Sequence, residues 1–447
     1  MSLQSPTRRD ALKLGLAATL APKSARAVSD PDVLVIGAGI AGLAAARTLA
    51  EAGKSLIVLE AAGRIGGRIH TERSLGLPVE LGAGWIHGPR GNPISALACN
   101  AGLETFVTDD DSLVVHRADG ALVPDADVVA GEARLARLAE RIDEAVEADI
   151  AMSAAIGRFG DGELEDPLLR WMLSAYLEFL TGGPIDAISA AMWDEDDGFS
   201  GADVILPAGY DRILPQLARG LDIRFGERVL SIAYDSNGVS ITTSSGSFQA
   251  KHVVCTLPIG VLKAGRVTFD PPLPTAYQRS IEALGMGQVT KLALRFEQPF
   301  WPRDVQYFGV TTEPMGRWNY FMNALTYGDV PLLMGVSLAS YAPIADAMRD
   351  DEATADMMDV LRGVFGTTIP EPTGVLKTAW SRDPLALGAY SFAKVGATPD
   401  DFDRFAAPIG PVHFAGEHTS FDYHGNVHGA YLSGLRAADA ILSERLD

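Results

Sequence analysis

Cysteine is nearly absent from this 447-residue chain. The two present, Cys99 and Cys255, sit in no C-x-x-C or metal-ligand spacing, which excludes a disulfide scaffold and a cysteine-based metal site. Both are expected to be buried free thiols. No apolar run approaches the roughly 20 residues of a membrane helix, so no membrane span is expected. Basic residues are also short, 37 Lys and Arg against 57 Asp and Glu, a formal charge of −20. That balance argues against nucleic acid and suits cationic partners. No repeat or low-complexity tract stands out. What remains is an ordinary globular composition, 47% hydrophobic and 21% charged, on a chain long enough for two domains.

The most informative segment is residues 32–68. Asp32-Val33-Leu34-Val35-Ile36 is short, apolar and β-branched, as a buried parallel strand should be. Gly37, Gly39 and Gly42 follow as G-x-G-x-x-G. The first allows the tight turn, the second the approach of a pyrophosphate, and the third close packing of helix on strand. The helix N-terminus offers free N–H groups to the phosphates. The next strand ends at Glu60, 18 residues past Gly42, the distance of a ribose-binding carboxylate. Gly66-Gly67-Arg68 then places an arginine where it can reach the same pyrophosphate.

Elsewhere the pattern predicts helices over 132–156 and 166–180, short strands over 228–232, 238–241 and 252–257, strands over 291–296 and 331–337, a strand running into a turn over 411–417, and a final helix over 429–445. The expected fold class is α/β: a discontinuous Rossmann-type domain from residues 31–100, 205–265 and 385–447, with an inserted α+β substrate domain from 101–204 and 266–384. Residues 1–27 read as a targeting segment: Arg8-Arg9, a modest apolar stretch, and Ala25-Arg26-Ala27 as an A-x-A cleavage site. They resemble a twin-arginine export signal, with Ala11 where Phe is commoner, and imply a periplasmic or secreted protein. Removing them takes away five basic residues and one acid, moving the charge from −20 to −24.

The E-x-x-x-x-x-G-G-R continuation after Glu60 resembles the FAD-dependent amine oxidase family. So do Gly82-Ala83-Gly84-Trp85-Ile86-His87-Gly88-Pro89, Leu177-Glu178-Phe179 with the acidic run 194–197, Phe414-Ala415-Gly416-Glu417-His418-Thr419, and 427–434. The likeness is greatest to polyamine oxidases and the related flavin histone demethylases. It implies FAD as cofactor. The product would be an imine, hydrolysed to aldehyde and amine, with O2 reduced to hydrogen peroxide. The partners implied are a small amine and O2; no oligomeric state follows.

By the same resemblance Lys291 holds a water against flavin N5, and His87 is a substrate-side histidine. Glu178 matches a polyamine-binding acid. Glu60 binds ribose, Arg68 the pyrophosphate, and Glu417 the ribitol. Val427 meets the isoalloxazine edge, Trp380 packs on the flavin, and Gly84, Trp85 and Val229 complete the cofactor set. The run 194–197 reads first as a solvated loop that helps to draw in cations. Two departures stand out. Ala389 occupies the position where the covalent branch carries cysteine, so FAD is expected to be non-covalent. Asn426 replaces a tyrosine of the amine-binding aromatic cage, with Tyr390 and Tyr423 as partial substitutes. The alternatives are an L-amino acid or monoamine oxidase, for which Arg90 and Arg317 are candidate carboxylate binders, and a catalytically silent FAD-binding protein.

Overall fold

In the computed structural model, residues 30–145, 148–194 and 197–444 are described. The export-like segment 1–27 lies outside them. Residues from Pro31 onward form one compact unit. At its heart is a five-stranded parallel sheet, in the order Val412–Phe414, His252–Cys255, Val33–Ile36, Leu56–Glu60, Ile223–Phe225. Val33 pairs in register with His252 on one side and Leu56 on the other. All four residues of the central strand are buried, because both faces are covered. Helices Ile40–Glu51 and Val427–Ser443 pack together over one face. The other face meets a four-stranded sheet built on Val229–Asp235 and Gly238–Thr243.

A second, six-stranded sheet runs Gly374–Lys377, Val289–Arg295, Leu332–Leu338, Tyr320–Asn323, Tyr307–Thr311, Leu113–Arg117. Lys291 lies opposite Val336 in an antiparallel pair. Strand alternation puts Lys291 on the face of Val289 and Ala293, and turns Leu292 and Leu294 into the opposite core.

The expected elements are present with two instructive differences. The helix expected over 132–156 begins earlier, at Asp125–Ala145, and Met152–Phe159 is a separate helix. The alternating charge marked an exposed face but not where the chain breaks. The helix expected over 166–180 is interrupted: Pro167–Met172 is α-helical and Leu173–Glu178 makes a π-helical turn. Such widened turns are common beside functional sites. Of the two cysteines, Cys255 is buried as expected, whereas Cys99 is exposed on the outer side of helix Pro93–Asn100. One apolar face suffices for a surface helix, and Cys99 lies off it.

Candidate active site

A cavity of about 1390 Å³ runs from the C-terminal ends of the parallel strands to the six-stranded sheet. Its nucleotide end is built as the glycine motif requires. Gly37 has φ +97°, and its N–H donates to Leu59 O at 2.8 Å. A Cβ there would meet Thr256 Oγ1 at 2.4 Å. Gly42 does not line the cavity; a Cβ on it would lie 2.0 Å from Gly37 O, so its role is close packing of helix on turn. Glu60 lines the cavity at the end of its strand, accepting 2.7 Å hydrogen bonds from the N–H groups of Ala38 and Ala62. Gly39, Arg68 and Val229 also line this end, joined by Arg64, Arg228 and Arg382, which the sequence reading missed. A glycine cradle, a helix N-terminus, an acid at a strand end and three further arginines fit a dinucleotide with a pyrophosphate.

Arg68 and Glu417, expected on different parts of the cofactor, bind each other. Arg68 Nη1 donates to Glu417 Oε1 at 2.8 Å and to Ala389 O at 2.9 Å. The second Glu417 oxygen accepts from Ser391 Oγ, Ser391 N–H and Gly425 N–H. A fully buried carboxylate needs this many donors. Burial alone would raise its pKa, but the charge of Arg68, then that of His418 once it is protonated, and then the Ser391 bond overcome that and bring it down to about 2. His418 adds no charge at neutral pH, since burial lowers it to about 4. Glu417 therefore anchors the cavity wall to Arg68 and to the turn before Val427, rather than offering an unfilled acceptor. Val427 opens the C-terminal helix with its first N–H groups at the cavity, and Asn426 lines the wall beside it. Asn426 directs its amide to His424 O at 3.0 Å.

Lys291 is 5% exposed and lines the other end of the cavity. Its Nζ donates to Gly82 O at 2.6 Å and Glu80 O at 3.1 Å, and sits 5.5 Å from the Trp85 ring centroid. Burial lowers its pKa to about 8, against the pull of Glu80. Glu80 is raised to about 7 by its own burial, despite bonds from Tyr210 N–H and Thr71 Oγ1. This acid, set between apolar neighbours in Val79–Glu80, is the partner that a buried lysine calls for, and no local pattern linked the two. Trp380 lines the same region, held by Nε1 donating to Leu81 O at 2.9 Å.

The aromatic wall joins two expected residues, Trp85 and Tyr390, to three that were not assigned to it, Phe179, Tyr307 and Tyr320. Trp85 meets Phe179 edge-on at 6.0 Å, Phe179 meets Tyr320 at 5.8 Å, and Tyr320 meets Tyr307 at 5.2 Å; all four line the cavity. Tyr390 lines it too, its hydroxyl donating to Phe179 O. Tyr423 does not: it stacks on Phe199 at 5.6 Å and meets His428 edge-on. Phe199 and His428 are the lining residues there.

Acids ring the approach. Asp110, Asp111, Glu132, Asp194, Asp197 and Asp203 all line the cavity. Asp110 is raised by burial and then by the neighbouring negative charges of Asp203, Asp109 and Asp111. The run 194–197 thus contributes Asp194 and Asp197 to the lining, while Glu195 and Asp196 lie outside the described residues. His87 lines the cavity close to Trp85, its Nδ1 hydrogen-bonded to Asp203, which also accepts from Gly88 N–H at 3.0 Å. Glu178 is brought elsewhere. Its side chain is buried outside the lining, accepts from Ile185 N–H at 3.2 Å, and is raised to about 7 by burial. The π-helical turn carries it under the wall that Phe179 forms. Gly84 lies against Glu80 and Lys291 and completes this end. Neither Arg90 nor Arg317 lines the cavity; Arg317 is paired with Asp356 at 2.7 Å.

Residues 40–442 match the family described as flavin containing amine oxidoreductase. The chain is 36% identical to polyamine oxidase 4 of Oryza sativa subsp. japonica, over 92% of this chain and 88% of that protein. It is 35% identical to polyamine oxidase 2 of Arabidopsis thaliana, over 92% and 87%. It is also 33% identical to lysine-specific histone demethylase 1 homolog 1 of Arabidopsis thaliana, over 93% of this chain and 52% of that one. Among solved structures, a putrescine oxidase double mutant superposes with a TM-score of 0.76, at 22% identity, covering 93% of this chain and 99% of that one. This likeness extends the same α/β fold to nearly the whole chain.

Proposed function

Since the chain belongs to the flavin-containing amine oxidoreductase family, and is an FAD-dependent amine oxidase, we propose that its substrate is a polyamine or acetylated polyamine. The observation that carries this reading is the pairing of an aromatic wall beside Lys291 with six acids along the approach. A long, multiply charged amine fits both: the acids hold its distal ammonium groups while the aromatic faces receive the reacting segment. An amino acid would need a cation for its carboxylate, and the two arginines considered for that role lie outside the lining.

Bound FAD supplies the two-electron acceptor for hydride from the substrate α-carbon, and O2 restores it with release of hydrogen peroxide. The chain's residues do the rest. Trp85, Phe179, Tyr307 and Tyr320 exclude water around the α-carbon. Lys291 spends two N–H bonds on the carbonyls of Glu80 and Gly82, leaving one N–H, or a lone pair when neutral, to hold a water or move a proton at Nζ. With a pKa near 8, both forms are accessible. Asp203 orients His87 at the mouth. The imine product then hydrolyses to an aldehyde and a smaller amine.

Export of the folded, FAD-loaded protein by the twin-arginine route is part of the same proposal, supported by residues 1–27. A peroxide-coupled screen of polyamines, monoamines and amino acids tests the substrate reading. Spermine, spermidine or an acetylated form should give the highest kcat/KM, and a clear preference for an amino acid would overturn it.

A further inference from the structure

Away from the cavity, the structure brings together two histidines and a glutamate that no part of the oxidase reading uses. His252 opens the strand His252–Cys255, and His413 is the middle residue of its parallel neighbour Val412–Phe414. Their rings lie side by side with centroids 5.6 Å apart, tilted by 57°. Glu444 follows the last turn of the C-terminal helix Val427–Ser443 and reaches back over them. Its carboxylate lies 3.7 Å from His252 Nδ1 and 3.5 Å from His413 Nε2, and the three ligand atoms are within 4.8 Å of one another. Both of those ring nitrogens are buried without a hydrogen-bond partner, and His413 is only 3% exposed. Orphaned buried polar atoms are uncommon and ask for an explanation. Two that converge on one point beside a carboxylate ask for the same one.

We infer that His252 Nδ1, His413 Nε2 and the Glu444 carboxylate form a binding site for a divalent transition metal of the zinc type. Imidazole nitrogen and carboxylate oxygen are a zinc donor set, and His2Glu with one open position is a known arrangement for that ion. Tetrahedral coordination at about 2.0–2.2 Å sets donor separations near about 3.4 Å. The two glutamate–histidine distances, one to each carboxylate oxygen, are close to that, and the remaining separations, all within 4.8 Å, have to close in as the ion binds. Glu444 keeps 46% of its side chain exposed, which leaves an entry path and room for a water as fourth ligand. Burial lowers both histidines, most strongly His413, which favours the neutral form that binds metal. The charged groups around His252 are mixed: Lys54 and Lys251 oppose a cation, whereas Glu444 and Asp32 favour it.

His252 lies four residues before Thr256 and His413 three residues before Gly416, and both Thr256 and Gly416 line the cavity. At least about 10 Å of strand therefore separates the site from the cavity, so the metal takes no part in the oxidation. Its effect is mechanical. It ties the end of the C-terminal helix to the sheet, and the start of that helix borders the flavin site.

The holoenzyme, stripped with EDTA and desalted, should take up about one equivalent of zinc per chain by metal analysis. It should also gain thermal stability on addition of zinc chloride alone. His252→Gln, His413→Gln and Glu444→Gln should each weaken zinc binding by at least about tenfold and abolish the thermal gain, while FAD content and turnover stay at wild-type values. Glu444 is half-exposed, so its variant reads out binding even where a histidine variant folds poorly. Cobalt(II) in place of zinc should give visible absorption bands of a four-coordinate site in wild type alone. No stoichiometric zinc uptake, or uptake and thermal gain unchanged in Glu444→Gln, would overturn the inference.

Discussion

Replacing Glu417 by Gln tests how the cavity wall is held. The carboxylate is buried and receives Arg68, Ser391 and Gly425 as donors. Its pKa lies at about 2 instead of the usual 4.5. The drop from 4.5 to about 2 sets an upper bound of roughly 3.4 kcal/mol in favour of the folded state at pH 7, because the share owed to protonated His418 is absent there. The sign follows from the depressed value. The contribution is fully present above the unfolded value of 4.5 and is lost as pH falls through the folded value near 2. By pH 3.5 it should have shrunk to about 2 kcal/mol. Gln accepts through one oxygen only and leaves Arg68 without its counter-charge, an error worth about 3–5 kcal/mol at a buried pair. With an unfolding entropy of about 2.1 cal/mol/K per residue over roughly 400 residues, 3.4 kcal/mol is a drop of about 4 °C in Tm at pH 7. Thermal scans of wild type and Glu417→Gln at pH 7 and pH 3.5 should show that gap and its narrowing at low pH. FAD content should fall in the variant as well, because Gly425 and Ser391 shape the wall. An unchanged Tm at pH 7, or a gap that widens on acidification, would refute the assignment of Glu417 as a charged anchor.

Four further outcomes are expected. Lys291→Met should retain FAD but slow turnover by on the order of ten- to a hundredfold, the loss of one charge-assisted contact; stopped-flow reduction and reoxidation at wild-type rates would remove Lys291 from the mechanism. Gly37→Ala should lose FAD, since its Cβ would meet Thr256 Oγ1 at 2.4 Å on a backbone with φ +97°; full flavin occupancy by absorbance would contradict the cradle, whereas flavin released into the supernatant on acid precipitation of wild type supports the non-covalent state implied by Ala389. Lysine at both Arg8 and Arg9 should leave the protein in the cytoplasm with residues 1–27 attached; continued processing and export would argue against the twin-arginine route.

The parts of this molecule that could be read in the sequence are those encoded in a short stretch. Strand, glycine turn, helix and acid over 33–60 are local, so spacing alone placed Gly37, Gly39, Gly42 and Glu60. Lys291 was legible through the family resemblance. What stayed hidden depends on contacts between distant segments. The Glu80 partner of Lys291 comes from 211 residues away. The pairing of Arg68 with Glu417 spans 349. The aromatic wall draws on 85, 179, 307 and 320, no two of them close in sequence, so a missing tyrosine at 426 looked like a missing wall. Glu178 ends a π-helical turn that the regular helix expected over 166–180 did not include, and it is buried outside the cavity lining. His252 and His413 meet only because their strands are neighbours in the sheet.

The central claim, that a polycation delivers hydride to FAD in a cavity guarded by acids, is tested most directly by one measurement. The oxidised holoenzyme is mixed anaerobically with spermidine, and bleaching of the flavin absorbance is followed in the stopped flow at rising salt. The account predicts complete reduction, with a second-order rate constant that falls as salt screens the acids at the cavity mouth. No bleaching by spermidine, together with rapid, salt-independent bleaching by an amino acid, would contradict it.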